Sequence, residues 1–161
     1  MNGLPMALCV ADAFGGFIFA RRIAVCRSGE GPVPEGLRAL GLSVVVNSDA
    51  EQGMGGSVAL GAAAAINRET SVVLIALADM PFVGREHIAA LLGRFEGSAA
   101  LVASSSGGAP SPPALFGRAH FPVLLACSGD RGARDLLANA ELVFASAAEL
   151  RDVDRPADLE G

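Results

Sequence analysis

Residues 71–81, SVVLIALADMP, decide the fold. From Ser71 to Ala78 the run is apolar without alternation, the pattern of a strand covered on both faces and placed at the centre of a sheet. It ends on Asp79, Met80 and Pro81. A carboxylate at the carboxyl end of a buried parallel strand lies at the crevice where open α/β sheets bind ligands. Asp79 there suits Mg²⁺, which prefers oxygen ligands and is held by one or two protein carboxylates together with substrate phosphates. It equally suits an N-cap, accepting a backbone N–H ahead of a helix that follows Gly84.

Outward from this run, strand and helix signals alternate in both directions. Arg22–Cys26 (RIAVC) and Ser43–Asn47 (SVVVN) are short β-branched runs, each preceded by helical spacing. Met1–Ala20 lacks the charged start of a signal peptide and is interrupted by Asp12, so it reads as a core helix. Ser57–Asn67 is Ala-rich and opens on a serine that can cap it. Gly84–Phe95 repeats apolar residues at helical spacing, and Ala99–Ser104 is the next strand. Ser104–Pro113 (SSSGGAPSPP) reads as a long surface loop, followed by a short edge strand over Pro113–Phe116. Ala119–Ala126 and Gly132–Ala140 read as helices, Leu142–Ser146 as a strand, and Pro156 as the start of a last helix. The whole predicts an α/β domain with a mostly parallel sheet over residues 1–161.

Composition narrows the function. The chain has 161 residues, 52% hydrophobic and 18% charged, with no apolar run long enough to span a membrane. Its net charge of -5, absence of lysine and lack of Trp and Tyr remove the cationic footprint and stacking platforms of a nucleic-acid binder. Cys9, Cys26 and Cys127 have no zinc spacing and read as reduced thiols of a cytoplasmic protein. The expected ligand is a small molecule.

Three further stretches can meet such a ligand. Gly53-Met54-Gly55-Gly56-Ser57 precedes the Ala-rich helix, where glycines allow close backbone approach and a helix start offers N–H groups to an anion. Gly129-Asp130-Arg131-Gly132-Ala133-Arg134 carries two guanidiniums that can grip phosphate or carboxylate, or simply stand in solvent. Asp152-Val153-Asp154 sends two carboxylates the same way, so either can join Asp79 at a metal or serve a helix start. His87 and His120 have no partner at metal-ligand spacing and read as surface or helix residues.

Taken in order, NSDAEQGMGGSV, LADMP, GGAPSPPALF, GDRGARDLL and DVDRPADL resemble the successive motifs of the MobA-like nucleotidyltransferases, most closely the molybdenum-cofactor cytidylyltransferases. The resemblance runs from about Gly3 to Leu159. It implies a Rossmann-like three-layer α/β/α sandwich and Mg²⁺-dependent transfer of CMP from CTP to molybdopterin, with release of pyrophosphate. Asp79 would be the catalytic metal ligand, with Ala78 at the usual Gly position of the GDMP motif, flanked by Met80 and Pro81. Asp154, with Asp152, would supply the second metal site. Gly53–Ser57 would line the nucleotide or acceptor pocket, and Gly107–Pro113 and Gly129–Arg134 the pterin side.

The family's LAAGxSxRMGxxK loop, which binds the triphosphate, has no counterpart here, and Met1–Pro5 resembles only the GxPL segment after it. Loss of the strand that carries the loop should leave a neighbouring strand's edge open. The resemblance therefore also admits a non-catalytic homologue that binds molybdopterin, a molybdoenzyme or a chaperone, and a transferase using another phosphorylated acceptor.

Overall fold

A computed structural model describes residues 4–129 and 134–153. Helix α1 (Met6–Ala13) leads to strand β1 (Ile23–Cys26), α2 (Pro32–Ala39), β2 (Ser43–Val46), α3 (Met54–Ala65) and β3 (Val72–Ile75). Then follow α4 (Arg85–Leu92), β4 (Leu101–Ser105), β5 (Ser111–Gly117), α5 (Phe121–Leu125) and β6 (Glu141–Phe144). Strands β1 and β2 form a parallel pair, while the other four lie in the order β3-β5-β4-β6. Only β5 runs antiparallel to its neighbours, and β4 and β6 are parallel.

Alternation along the strands builds the three layers. On one face Ala62 of α3 and Phe121 and Leu124 of α5 pack on Ala103, Ala114 and Phe116. On the other, Leu91 of α4 packs on Val102, Leu115 and Val143. Residues one apart in a strand thus serve opposite helical layers. Around β1, Leu8, Ala11 and Leu37 of α1 and α2 cover Ala24 and Cys26, while α3 covers Val25 so closely that a Cβ at Gly61 would lie 3.2 Å from its Cγ2.

Three expectations are corrected. Strand β3 is not central: it ends the four-stranded sheet, and all four of its residues are half-buried. The central place belongs to β5, expected as a short edge strand, whose last five residues are buried. Nor is Ser104–Pro113 a long loop, since Ser104 and Ser105 end β4, fully buried, and Ser111 already begins β5. The register explains how prolines enter a central strand. Ala103 pairs with Ala114 and Ser104 with Ser111, so Pro112 and Pro113 are the extra residues of a bulge, where no ladder hydrogen bond is required of them.

The sheet is broken where an open edge was expected. Strands β1 and β3 belong to separate sheets, yet the same elements cover both. Helix α3 packs on Val25 through Gly61 and on Val73 and Ile75 through Val58 and Ala62. On the opposite face α1 packs on Ala24, and the turn after it, with Phe14 and Phe17, packs on the cluster holding Leu74. The facing edges of β1 and β3 therefore border an interval within one layer.

Candidate active site

Past β3 the chain turns through Leu77–Pro81, held by the buried Met80, Val83 and Ile88, against which the partly buried Leu150 packs. Asp79 is thus four residues beyond the last strand residue, in a turn on the carboxyl side of the sheet. It is no helix cap: α4 has Gly84 as its N-cap, and no side chain caps it. Asp79 Oδ1 is covered by protein and has no hydrogen-bond partner. An acceptor left so costs about 1–3 kcal/mol, more for a charged group, a cost that a bound cation relieves.

A second segment, residues 149–153, runs back along this turn. Glu149 Oε1 accepts from the Gly84 N–H at 3.1 Å, and the Arg151 guanidinium stacks 4.8 Å from the Phe82 ring centre. The buried Val153 donates its N–H to the Asp79 carbonyl at 2.8 Å. The two ends of the sequence pattern, LADMP and DVD, therefore meet. Asp152 is exposed beside this clasp, whereas Asp154 lies outside the described residues. Among the described residues no three His, Cys, Asp or Glu side chains gather to hold a metal. A cation at Asp79 would therefore rely on one or two carboxylates plus water and ligand oxygens, the coordination habit of Mg²⁺.

The glycine-rich stretch differs from expectation. Gly53, with φ of 106°, is the N-cap of α3, and Met54, Gly55, Gly56 and Ser57 already form its first turns. Ser57 is no cap; its Oγ accepts from Asn47 Nδ2 at 3.0 Å, tying the helix to the end of β2. Gly55 donates its N–H to the Gly129 carbonyl at 2.8 Å, and a Cβ there would sit 2.5–2.7 Å from the Ser128 backbone. This glycine therefore admits a neighbouring loop of the same chain. Asp130, Arg131 and Gly132 lie outside the described residues, and Arg134 begins a 3₁₀ turn reaching Asn139. Among the described residues no hydrogen bond joins the Gly55–Gly129 cluster to the Asp79 turn.

His87, read as a surface or helix residue, lies in α4 and is buried. Its Nε2 is 2.8 Å from Ser104 Oγ, which donates to the Pro113 carbonyl at 2.8 Å. The Ser104 hydroxyl hydrogen points to the Pro113 carbonyl, so in the hydrogen bond with His87 the Ser104 oxygen accepts and Nε2 is the protonated, donating nitrogen. Burial holds the imidazole below its ordinary range, with Glu149 pulling the other way. One polar chain thus links α4, just after the Asp79 turn, to the bulge. Ser105 orders the adjoining turn, accepting from the Gly107 N–H and donating to the Gly108 carbonyl, both at 3.2 Å. Sequence reasoning missed Arg151, although its place beside DVD was a signal.

A cavity of about 400 Å³ lies elsewhere, at the amino ends of β1 and β2. Its arginines are occupied: Arg21 donates to the Ala64 carbonyl, and Arg22 to those of Leu40 and Ala11. The cysteines are free and half-buried, and burial raises the thiols of Cys26 and Cys127. No helix among the described residues is long and apolar enough to cross a membrane.

Comparison with known proteins agrees with this architecture. The purine catabolism protein PucB of Bacillus subtilis (strain 168) is 36% identical over an alignment of 124 residues that covers 73% of this chain. The alignment covers 60% of PucB, so the chain spans less than two thirds of that relative's length. A nucleotidyl transferase from Methanothermobacter thermautotroptrophicus has the same fold, with a TM-score of 0.79 at 23% identity, covering 99% of this chain and 79% of that one. Molybdopterin-guanine dinucleotide biosynthesis protein A from Archaeoglobus fulgidus superposes with a TM-score of 0.58 at 19% identity, over 96% and 82% of the two chains. Residues 1–146 match the MobA-like NTP transferase domain, and the chain belongs to that family.

Proposed function

We propose that this chain serves a divalent-cation-dependent transfer of CMP from CTP to a molybdopterin-type acceptor, with Asp79 as the principal metal ligand and Asp152 and Asp154 as its second carboxylate source. The observation that carries the reading is the Val153 N–H to Asp79 carbonyl hydrogen bond, beside an Asp79 Oδ1 with no partner. A dinucleotide-biosynthesis protein among the structural neighbours supports the acceptor class, and a relative of the same fold described as a complex with manganese supports the cation. Mg²⁺ at Asp79 would offset charge on the phosphate oxygens. An acceptor phosphate oxygen would bond to the α-phosphorus of CTP as the bond to the bridging oxygen breaks, and pyrophosphate would leave with that electron pair. The chain's own residues would position the reactants, Asp79 through the clasp and the acceptor side through the Ser105-ordered turn.

The interval between β1 and β3 bears on activity. A strand ending in the family's LAAGxSxRMGxxK loop would fill it and bring that loop to the carboxyl ends, where Asp79 lies. The alternative is a non-catalytic homologue whose surface binds molybdopterin, a molybdoenzyme or a chaperone.

Calorimetric titration of CTP with Mg²⁺ into the protein and into Asp79→Ala tests the metal ligand. Heat in the first and none in the second is expected, with folding checked by circular dichroism. Equal heats would remove Asp79 from the site.

A further inference from the structure

We infer that Arg151 is a ligand-binding residue, a guanidinium fixed beside the Asp79 turn to grip an oxygen of the phosphate group that the cation at Asp79 binds. The inference rests on the reading of Asp79 as the metal ligand, and adds a residue that none of the sequence motifs supplied.

Three observations carry it. Arg151 is built into the clasp: its neighbour Leu150 is packed with Met80 and Val83, and Val153, two residues on, is bonded to Asp79. Its guanidinium lies on the Phe82 ring, 4.8 Å from the centre, which covers one face and leaves the in-plane N–H groups as the means of contact. And the side chain is poorly served by the protein itself. Its Nε is buried without an acceptor, and among the described residues the ion pairs join Arg85 to Asp12 and Arg94 to Glu141, with Arg151 in neither.

An arginine held for stability would have its buried donor matched, most simply by the nearby Asp79, whose Oδ1 is itself unmatched. Two groups of opposite charge on one clasp, each with a covered atom lacking a partner, are instead what a ligand of cation plus oxyanion requires. Asp79 takes the cation, and the guanidinium edge takes phosphate oxygen, for which its planar fork is suited.

The test separates the two readings by using two probes on the folded protein. Mn²⁺ binding is followed by electron paramagnetic resonance, and inorganic pyrophosphate binding in the presence of Mg²⁺ by calorimetry. Arg151→Ala is expected to bind Mn²⁺ within about twofold of the parent and pyrophosphate about ten- to a hundredfold more weakly, the loss of a charge-assisted hydrogen bond. Arg151→Lys, keeping the charge but not the fork, should recover only part of this. Unchanged pyrophosphate affinity in Arg151→Ala, tighter Mn²⁺ binding in that variant, or a parent that binds Mn²⁺ but not pyrophosphate would each overturn the role of Arg151 and leave Asp79 standing. A parent that binds no Mn²⁺ would overturn both.

Discussion

Gly55 and Gly56 are adjacent in the first turn of α3, and replacing each by alanine should move stability in opposite directions. Helical propensity treats them alike, favouring alanine over glycine by about 0.5–1 kcal/mol in a helix interior and less this close to its start. Their surroundings differ. A Cβ on Gly56 would find only Asn47 Nδ2, at the ordinary distance of 3.7 Å. A Cβ on Gly55 would meet the Ser128 carbonyl carbon at 2.5 Å and its Cα and N at 2.7 Å, all backbone atoms that cannot rotate aside. Relief requires the Gly129 segment to withdraw, weakening the 2.8 Å bond from Gly55. Overpacking of this kind costs about 1–3 kcal/mol, so Gly55→Ala should lose roughly 1–2 kcal/mol after the propensity gain. That is a midpoint drop of about 2–8 °C for a chain of this size. Gly56→Ala should be neutral or up to about 0.5 kcal/mol more stable. Urea unfolding of the three proteins decides the matter. Equal stability of Gly55→Ala and the parent, or a comparable loss in Gly56→Ala, would refute the claim that this glycine exists to admit the Ser128–Gly129 backbone.

Three other outcomes follow from the buried polar groups. Because burial lowers the His87 pKa from its ordinary 6.5, the neutral form is favoured on folding; its contribution is complete above that pH and is lost as pH falls toward the lower folded value. Unfolding free energy of the parent should therefore decline below about pH 6.5 more than that of His87→Gln, as urea titrations across pH 5–8 would reveal. Ser104→Ala removes the acceptor for His87 and the donor to Pro113 together, and should cost about 2–3 kcal/mol in the same assay, well above a typical surface alanine substitution. Asp79→Asn removes a covered, unmatched charge and should leave thermal stability equal or up to about 1 kcal/mol higher while abolishing Mn²⁺ binding; a clear loss of stability would mean the carboxylate is a structural group.

Legibility in the sequence depended on how local the cause was. β-Branched runs located β1 and β2 almost to the residue, since a strand's propensity and half-buried pattern are carried by neighbours in the chain. Asp79 was legible as the acid ending an apolar run. Strand β5 was hidden by Pro112 and Pro113, because a bulge that tolerates them is defined only by pairing with β4. His87 gained its meaning from Ser104, 17 positions away, and Gly55 from Ser128; no periodicity carries such information. The clasp between residues 79–84 and 149–153 was foreseeable in outline, from the alternation that lets Asp152 or Asp154 join Asp79 and from the family likeness that pairs LADMP with DVD, but neither said that Arg151 would lie on Phe82.

The composition of the facing edges argues that the sheet is made to continue across the interval between β1 and β3. Sheet edges are ordinarily protected by charge, proline, a bulge or exposure of polar residues. Strand β2, on the outer side of its pair, begins with the exposed polar Ser43. Strand β6, at the far side of the larger sheet, begins with Glu141, ion-paired to Arg94. Strands β1 (IAVC) and β3 (VVLI) have no charge, no proline and no bulge, and every residue in both is half-buried. Their helical covers are already in place on both faces, so the apolar side chains are partly protected. One extended strand paired with both would complete the burial and place β3 at the interior position that its uninterrupted apolar sequence implies.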